Sequence, residues 1–120
     1  MTLRESIYAA LSAGSPPLRV YPGLLPQNPA LPAVVYTIVF RHDEEDLAGN
    51  DCNLTNAQVQ TDCYSTTENE ADATAATVRE LMRSAADFKT VTLPGGFDEH
   101  ETDTQLYRVM REFSVWKNAT

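Results

Sequence analysis

The chain has 120 residues, 9 basic against 17 acidic, for a formal charge of −8. That length fits one domain spanning 1–120, and a chain of this size buries roughly two-thirds of its unfolded surface, so a core forms without metals or staples. There is no Lys/Arg cluster to displace counterions from a phosphate backbone, which argues against sequence-independent DNA binding. An acidic surface also repels anionic lipid headgroups but suits docking to a basic partner surface.

The hydrophobic share of 42% argues against wholesale disorder. The longest apolar stretch, Ala33 to Phe40, falls far short of the ~20 residues of a membrane helix. The start, MTLRESIYAALSAGSPP, lacks a basic segment followed by an unbroken apolar run, so no signal peptide is expected. Host cytoplasm is the expected compartment unless an assembly carries the chain out. Cys52 and Cys63 on one strand would stand about 36 Å apart, too far for a disulfide. With Cys52 in a loop a bridge becomes possible but is not suggested, and two free thiols are expected.

Thr2 followed by Glu5 has the capping-box spacing, and Leu3, Ile7, Tyr8 and Leu11 repeat at helical intervals. A first helix over 3–13 follows, ended by Gly14 and Pro16–Pro17. Leu18 to Tyr21 reads as a short strand. Pro22 to Pro32 holds four prolines and a glycine, which marks an extended loop. Ala33 to Phe40 is β-branched and aromatic, and its near-continuous apolarity predicts a central strand covered on both faces. His42 to Asn53 reads as a long exposed loop.

From Leu54 to Ser65 the pattern alternates. Val59, Thr61 and Cys63 point one way; Gln58, Gln60, Asp62 and Tyr64 point the other. Thr67 and Glu70 repeat the capping-box spacing. Ala71, Ala75, Val78, Met82 and Ala85 then define a helix over 68–86, with Glu68, Glu70 and Asp72 at its start and Arg79 and Arg83 near its end, as the helix dipole favours. Lys89 to Leu93 reads as a strand, Pro94-Gly95-Gly96 as a turn, and Phe97 to Thr104 as a second acidic loop. Gln105 to Lys117 is the last strand. Tyr107, Val109, Phe113 and Val115 lie on one side of it, with Arg111 their polar exception. The order α-(β)-β-β-α-β-β predicts an α+β fold: a mostly antiparallel sheet of about four or five strands, with both helices on one face.

No phosphate loop, C-x-x-C pair, H-E-x-x-H or G-x-S-x-G elbow occurs. His42-Asp43-Glu44-Glu45 and Asp98-Glu99-His100-Glu101 would offer hard oxygen ligands to Mg²⁺ or Ca²⁺ only if the two loops met; read singly, they are solvated acidic loops. A Cys63 nucleophile with His42 as base is set against the apolar placement of Cys63, which favours an inert core thiol. Trp116 and the tyrosines lack the basic groove of a single-strand site and read as core or interface anchors. No catalytic, cofactor-binding or metal-binding residue is assigned, and no cofactor is expected.

Three segments carry a resemblance: Pro26-Gln27 with Pro32-Ala33-Val34-Val35-Tyr36-Thr37, then Val59 to Ser65 (VQTDCYS), then Leu106 to Trp116 (LYRVMREFSVW). In order and spacing they resemble the tail completion proteins of long-tailed phages and prophages, a family related in architecture to tail terminators. The resemblance covers nearly the whole chain, although the acidic run 43–46 matches none of its motifs. It implies a structural virion protein and not an enzyme: a subunit of a ring, commonly hexameric, at the head-proximal end of the tail. Such a ring ends tube growth and offers a surface for head joining. The implied partners are further copies of the chain, the tail tube protein and the head–tail connector, with no membrane and no sequence-specific nucleic acid. The implied location is the virion tail, with host cytoplasm during assembly.

The residues expected at the contacts are the loop carboxylates and imidazoles: His42, Asp43, Glu44, Glu45, Asp46, Asp98, Glu99, His100, Glu101 and Asp103. Two other readings stay open, a small divalent-metal-dependent enzyme using the acidic loops and a binding module for a cytoplasmic partner.

Overall fold

A computed structural model describes residues 2–14, 17–45 and 51–118. The elements are α1 (Leu3–Leu11), β1 (Arg19–Pro22), β2 (Ala33–Glu45), β3 (Asp51–Ser65), α2 (Glu68–Ser84), β4 (Lys89–Thr92), β5 (Phe97–Glu101) and β6 (Leu106–Asn118). One sheet runs in the order β1-β2-β3-β6, and β4 and β5 both pair with the far side of β6. Only β1–β2 is parallel; the other pairings are antiparallel. The fold is α+β, as the element order predicts.

Local chemistry sets the helix starts. Thr2 accepts the Glu5 N–H, and the Glu5 carboxylate accepts the Thr2 N–H, closing a capping box. The backbone bond also holds the Glu5 carboxyl below its ordinary value. Thr67 likewise accepts the Glu70 N–H. The Glu70 carboxylate, however, accepts from the Ser65 hydroxyl, so the end of β3 and the first turn of α2 are bonded together.

Both helices lie on one face of the sheet. Leu3, Ile7 and Leu11 of α1 and Ala71, Ala75, Val78 and Met82 of α2 pack with Val34, Tyr36, Val59, Cys63, Val109, Phe113 and Val115 in a single core cluster. Alanines at 71 and 75 let the α2 axis approach the sheet. The Lys117 ammonium, almost wholly buried, lies 3.1 Å from Asp87, which also accepts from the Ser6 hydroxyl. That triad ties α1, the α2–β4 link and β6 together and holds the Asp87 carboxyl below its ordinary value, the Ser6 bond contributing most.

Three expectations are corrected. The loop expected over His42 to Asn53 is largely strand: β2 runs on to Glu45 and β3 begins at Asp51. Strand pairing continues through those charges because each backbone N–H and C=O finds its partner on the neighbouring strand, whatever the side chain. Next, the acidic loop expected from Phe97 contains β5, which gives a sixth strand. Charge is tolerated there because β5 lies at a sheet edge, and its carboxylates meet the arginines of β6. Finally, β2 is buried on both faces only from Ala33 to Tyr36; Val39 and Phe40 are more than half exposed. The parallel partner β1 ends at Pro22, opposite Tyr36, and a register shift between Ile38 and Phe40 turns the strand outward.

Candidate functional site

The sheet face opposite the helices is polar and held by its own side chains. Asn56 donates to Ser114 at 2.9 Å, and Gln58 donates to Glu112. Gln60 donates to Asp62 at 3.0 Å, while the Arg108 Nε donates to the other Asp62 oxygen at 2.8 Å. Arg108 reaches on to Glu99 at 3.4 Å and lies over the Phe97 ring, 5.0 Å from its centroid. Among the described residues, no helix covers this face. Its polar side chains are matched to one another along β3 and across β3, β6 and β5.

The acidic segments occupy opposite ends of the molecule. His42 pairs in register with Asn56, and Asn56 with Trp116. Asp98 pairs with Val109 and His100 with Tyr107. Asp98 and Glu99 bond to Arg111 and Arg108, His100 stacks near Tyr107 with ring centroids 4.7 Å apart, and Asp103 is exposed in the turn after β5. His42 is exposed on β2; Asp43, Glu44 and Glu45 are described as backbone only, and Asp46 lies outside the described residues. The two clusters therefore do not meet. Among the described residues, no three His, Cys, Asp or Glu side chains form a group that could hold a metal ion.

Cys63 is also remote from His42. It is fully buried on the helix-covered face, and Asn56, the register partner of His42, stands roughly 23 Å away along β3. Burial, with the neighbouring Asp62 charge adding to it, pushes the Cys63 thiol up to about 12. A thiol so placed is a core residue and holds almost no thiolate at neutral pH. The Cys52 side chain lies outside the described residues.

Residue types alone left one feature unmarked. Between α2 and the β4–β5 turn lies a groove of about 590 Å³, lined by Asp72, Ala75, Ala76 and Arg79 of α2, by Pro94 and Gly95 of the turn, and by Arg111. Gly96, next in the turn, lies close against β6: at φ +108, a Cβ there would stand 2.4 Å from the Met110 carbonyl and 3.3 Å from Arg111 Nη1. Only glycine lets the turn settle against the arginine. The sequence signals were Gly95-Gly96 before β5 and an arginine on the apolar side of the last strand, but joining them required the strand register.

One face of the sheet is thus covered by helices and the other carries a bonded network of polar side chains. Among the described residues, no helix is long and apolar enough to cross a membrane. The profile of the tail completion protein gp17 family matches residues 5–117, and the chain belongs to that family. It is a structural protein of the phage tail, placed in the virion. A search of curated protein sequences finds no match. Among solved structures, a chain in a structure titled "Virion of native gene transfer agent (GTA) particle" is similar in fold, with a TM-score of 0.72 and 17% identity, over 98% of this chain and 95% of that one.

Proposed function

We propose that the chain, folded as one domain over 1–120, is one subunit of a closed hexameric ring at the head-proximal end of the tail. The ring ends growth of the tail tube and presents a surface to the head–tail connector. It acts through contacts and makes or breaks no bonds. Its partners are other copies of itself, the tail tube protein and the connector. The contact residues are His42, Asp43, Glu44 and Glu45 of β2 with the following Asp46, and Asp98, Glu99, His100, Glu101 and Asp103 of β5 and its turn.

The observation that carries this reading is the two-sidedness of the sheet. Its helix-covered face completes a core within one subunit. Its open face and its edges, β2 beyond Tyr36 on one side and β4 with β5 on the other, remain for other molecules. Two different edges on one subunit suit a head-to-tail contact, which closes into a ring when the rotation permits. The molecule measures 52 Å by 27 by 24 Å, an elongated shape that spans between neighbours.

The test is negative-stain electron microscopy of the purified chain, alone and with isolated tail tubes. Six-fold rings, free or seated on one tube end, are expected. Virions that assemble normally without the protein, or rings of another order, would overturn the reading.

A further inference from the structure

On the reading that copies associate, we infer that the groove between α2 and the β4–β5 turn receives the acidic end of the β2–β3 ribbon of a neighbouring copy. Each copy carries a formal charge of −8, so two copies repel unless their interface sets cations against carboxylates locally. Most of the partly buried cations are already engaged within the chain: Arg108 with Asp62 and Glu99, and Lys117 with Asp87. Arg79 is different. It is exposed on α2, and it forms no ion pair or hydrogen bond among the described residues.

Arg111, across the groove, is already oriented. Its Nη1 donates to Asp98 at 3.0 Å and to the Met110 carbonyl at 2.8 Å. The described bonds use only that nitrogen, while a guanidinium has five N–H donors. A cation fixed in place before binding loses little entropy when a carboxylate arrives. Asp72 also lines the groove and opposes an acidic guest, but it precedes Arg79 by seven positions, roughly 10 Å along the helix.

The ribbon needs such a partner. The third strand, β6, stops pairing with β3 at Leu54↔Asn118, whereas β2 and β3 pair on to Glu45↔Asp51. Beyond Leu54 the ribbon therefore has no third strand beside it. The register also pairs Glu45 with Asp51, so two acidic residues share the last backbone pairing of the ribbon. Asp43 and Glu44 precede them on β2. Two arginines lining a groove offer that end of the ribbon both neutralisation and a third surface to pack against. The same contact, repeated head to tail, is heterologous and can close.

The test follows assembly of the purified full chain by sedimentation velocity across a concentration series. Arg79→Glu and Glu45→Arg are each expected to raise the half-assembly concentration about tenfold or more, and the double variant to bring it back toward the wild-type value. Circular dichroism melts check that each variant is folded, and Arg79→Gln replaces Arg79→Glu if the latter is not. A single charge variant that assembles like wild type overturns the inference, and so does a double variant as poor as its parents.

The ring reading fails separately, if wild type forms no ring either free or on tubes. In that case amide shifts of the labelled chain on concentration report the residual self-contact. Shifts that leave out Arg79, Gly95 and Glu45 overturn the groove inference by themselves.

Discussion

Replacing Asp62 by alanine measures what the open sheet face contributes to the fold. The Asp62 carboxylate is 7% exposed and accepts from Arg108 at 2.8 Å; Arg108 itself is 20% exposed. A fully buried pair broken on one side costs about 3–5 kcal/mol, and an exposed pair about 0–1. Asp62 belongs near the first case and Arg108 between the two. Arg108 also keeps Glu99, at 3.4 Å, and its place over Phe97. A loss of about 2 kcal/mol is therefore expected for Asp62→Ala. For a domain of this size, 1 kcal/mol moves the midpoint by about 4 °C, so Tm should fall by about 8 °C in a calorimetric scan. Arg108→Ala and the double variant complete a cycle whose coupling should exceed about 1 kcal/mol. An Asp62→Ala midpoint within about 1 °C of wild type, or a coupling near zero, would show that the pair is solvated and that the polar face is not held as described.

Gly96→Ala should lower stability by about 1–3 kcal/mol in urea titration, because φ +108 and the Met110 carbonyl at 2.4 Å both exclude a Cβ; Gly95→Ala, with open space around it, should cost less. For pH, the Asp87 carboxyl titrates below its ordinary 3.8 in the folded chain. The unfolded chain therefore takes up that proton first as pH falls. The stabilising effect is complete above the ordinary value and is lost as pH falls through the folded one. Asp87→Asn should flatten that part of a stability-versus-pH curve, and an unchanged curve would count against the Ser6–Asp87–Lys117 triad. Cys63 should resist alkylation in the native chain at pH 8 and react at the ordinary rate in denaturant, as peptide mapping by mass spectrometry would read; native labelling at Cys63 would contradict its burial.

Local signals in the sequence carried much of this structure. Thr2 and Thr67 cap helices as their spacing to Glu5 and Glu70 requires, since a capping bond joins groups three residues apart. The alternation along 54–65 places Val59, Thr61 and Cys63 in the core and Gln58 and Gln60 outside it, because successive strand side chains must point to opposite faces. The family, too, was legible in the order of three strand motifs.

Other features depend on which strands become neighbours, and tertiary structure alone decided them. Polar runs such as 42–45 and 97–101 carry the composition of loops, yet they are strands, because a paired neighbour satisfies the backbone, and in the second run Asp98 and Glu99 also meet arginines. The pairing of Asp62 with Arg108, across 46 positions of chain, and the groove between Arg79 and Arg111 arise from register and from how α2 settles on the sheet. Short-range chemistry fixes where each element starts and which face it buries; contacts across the fold fix what the exposed face presents to a partner.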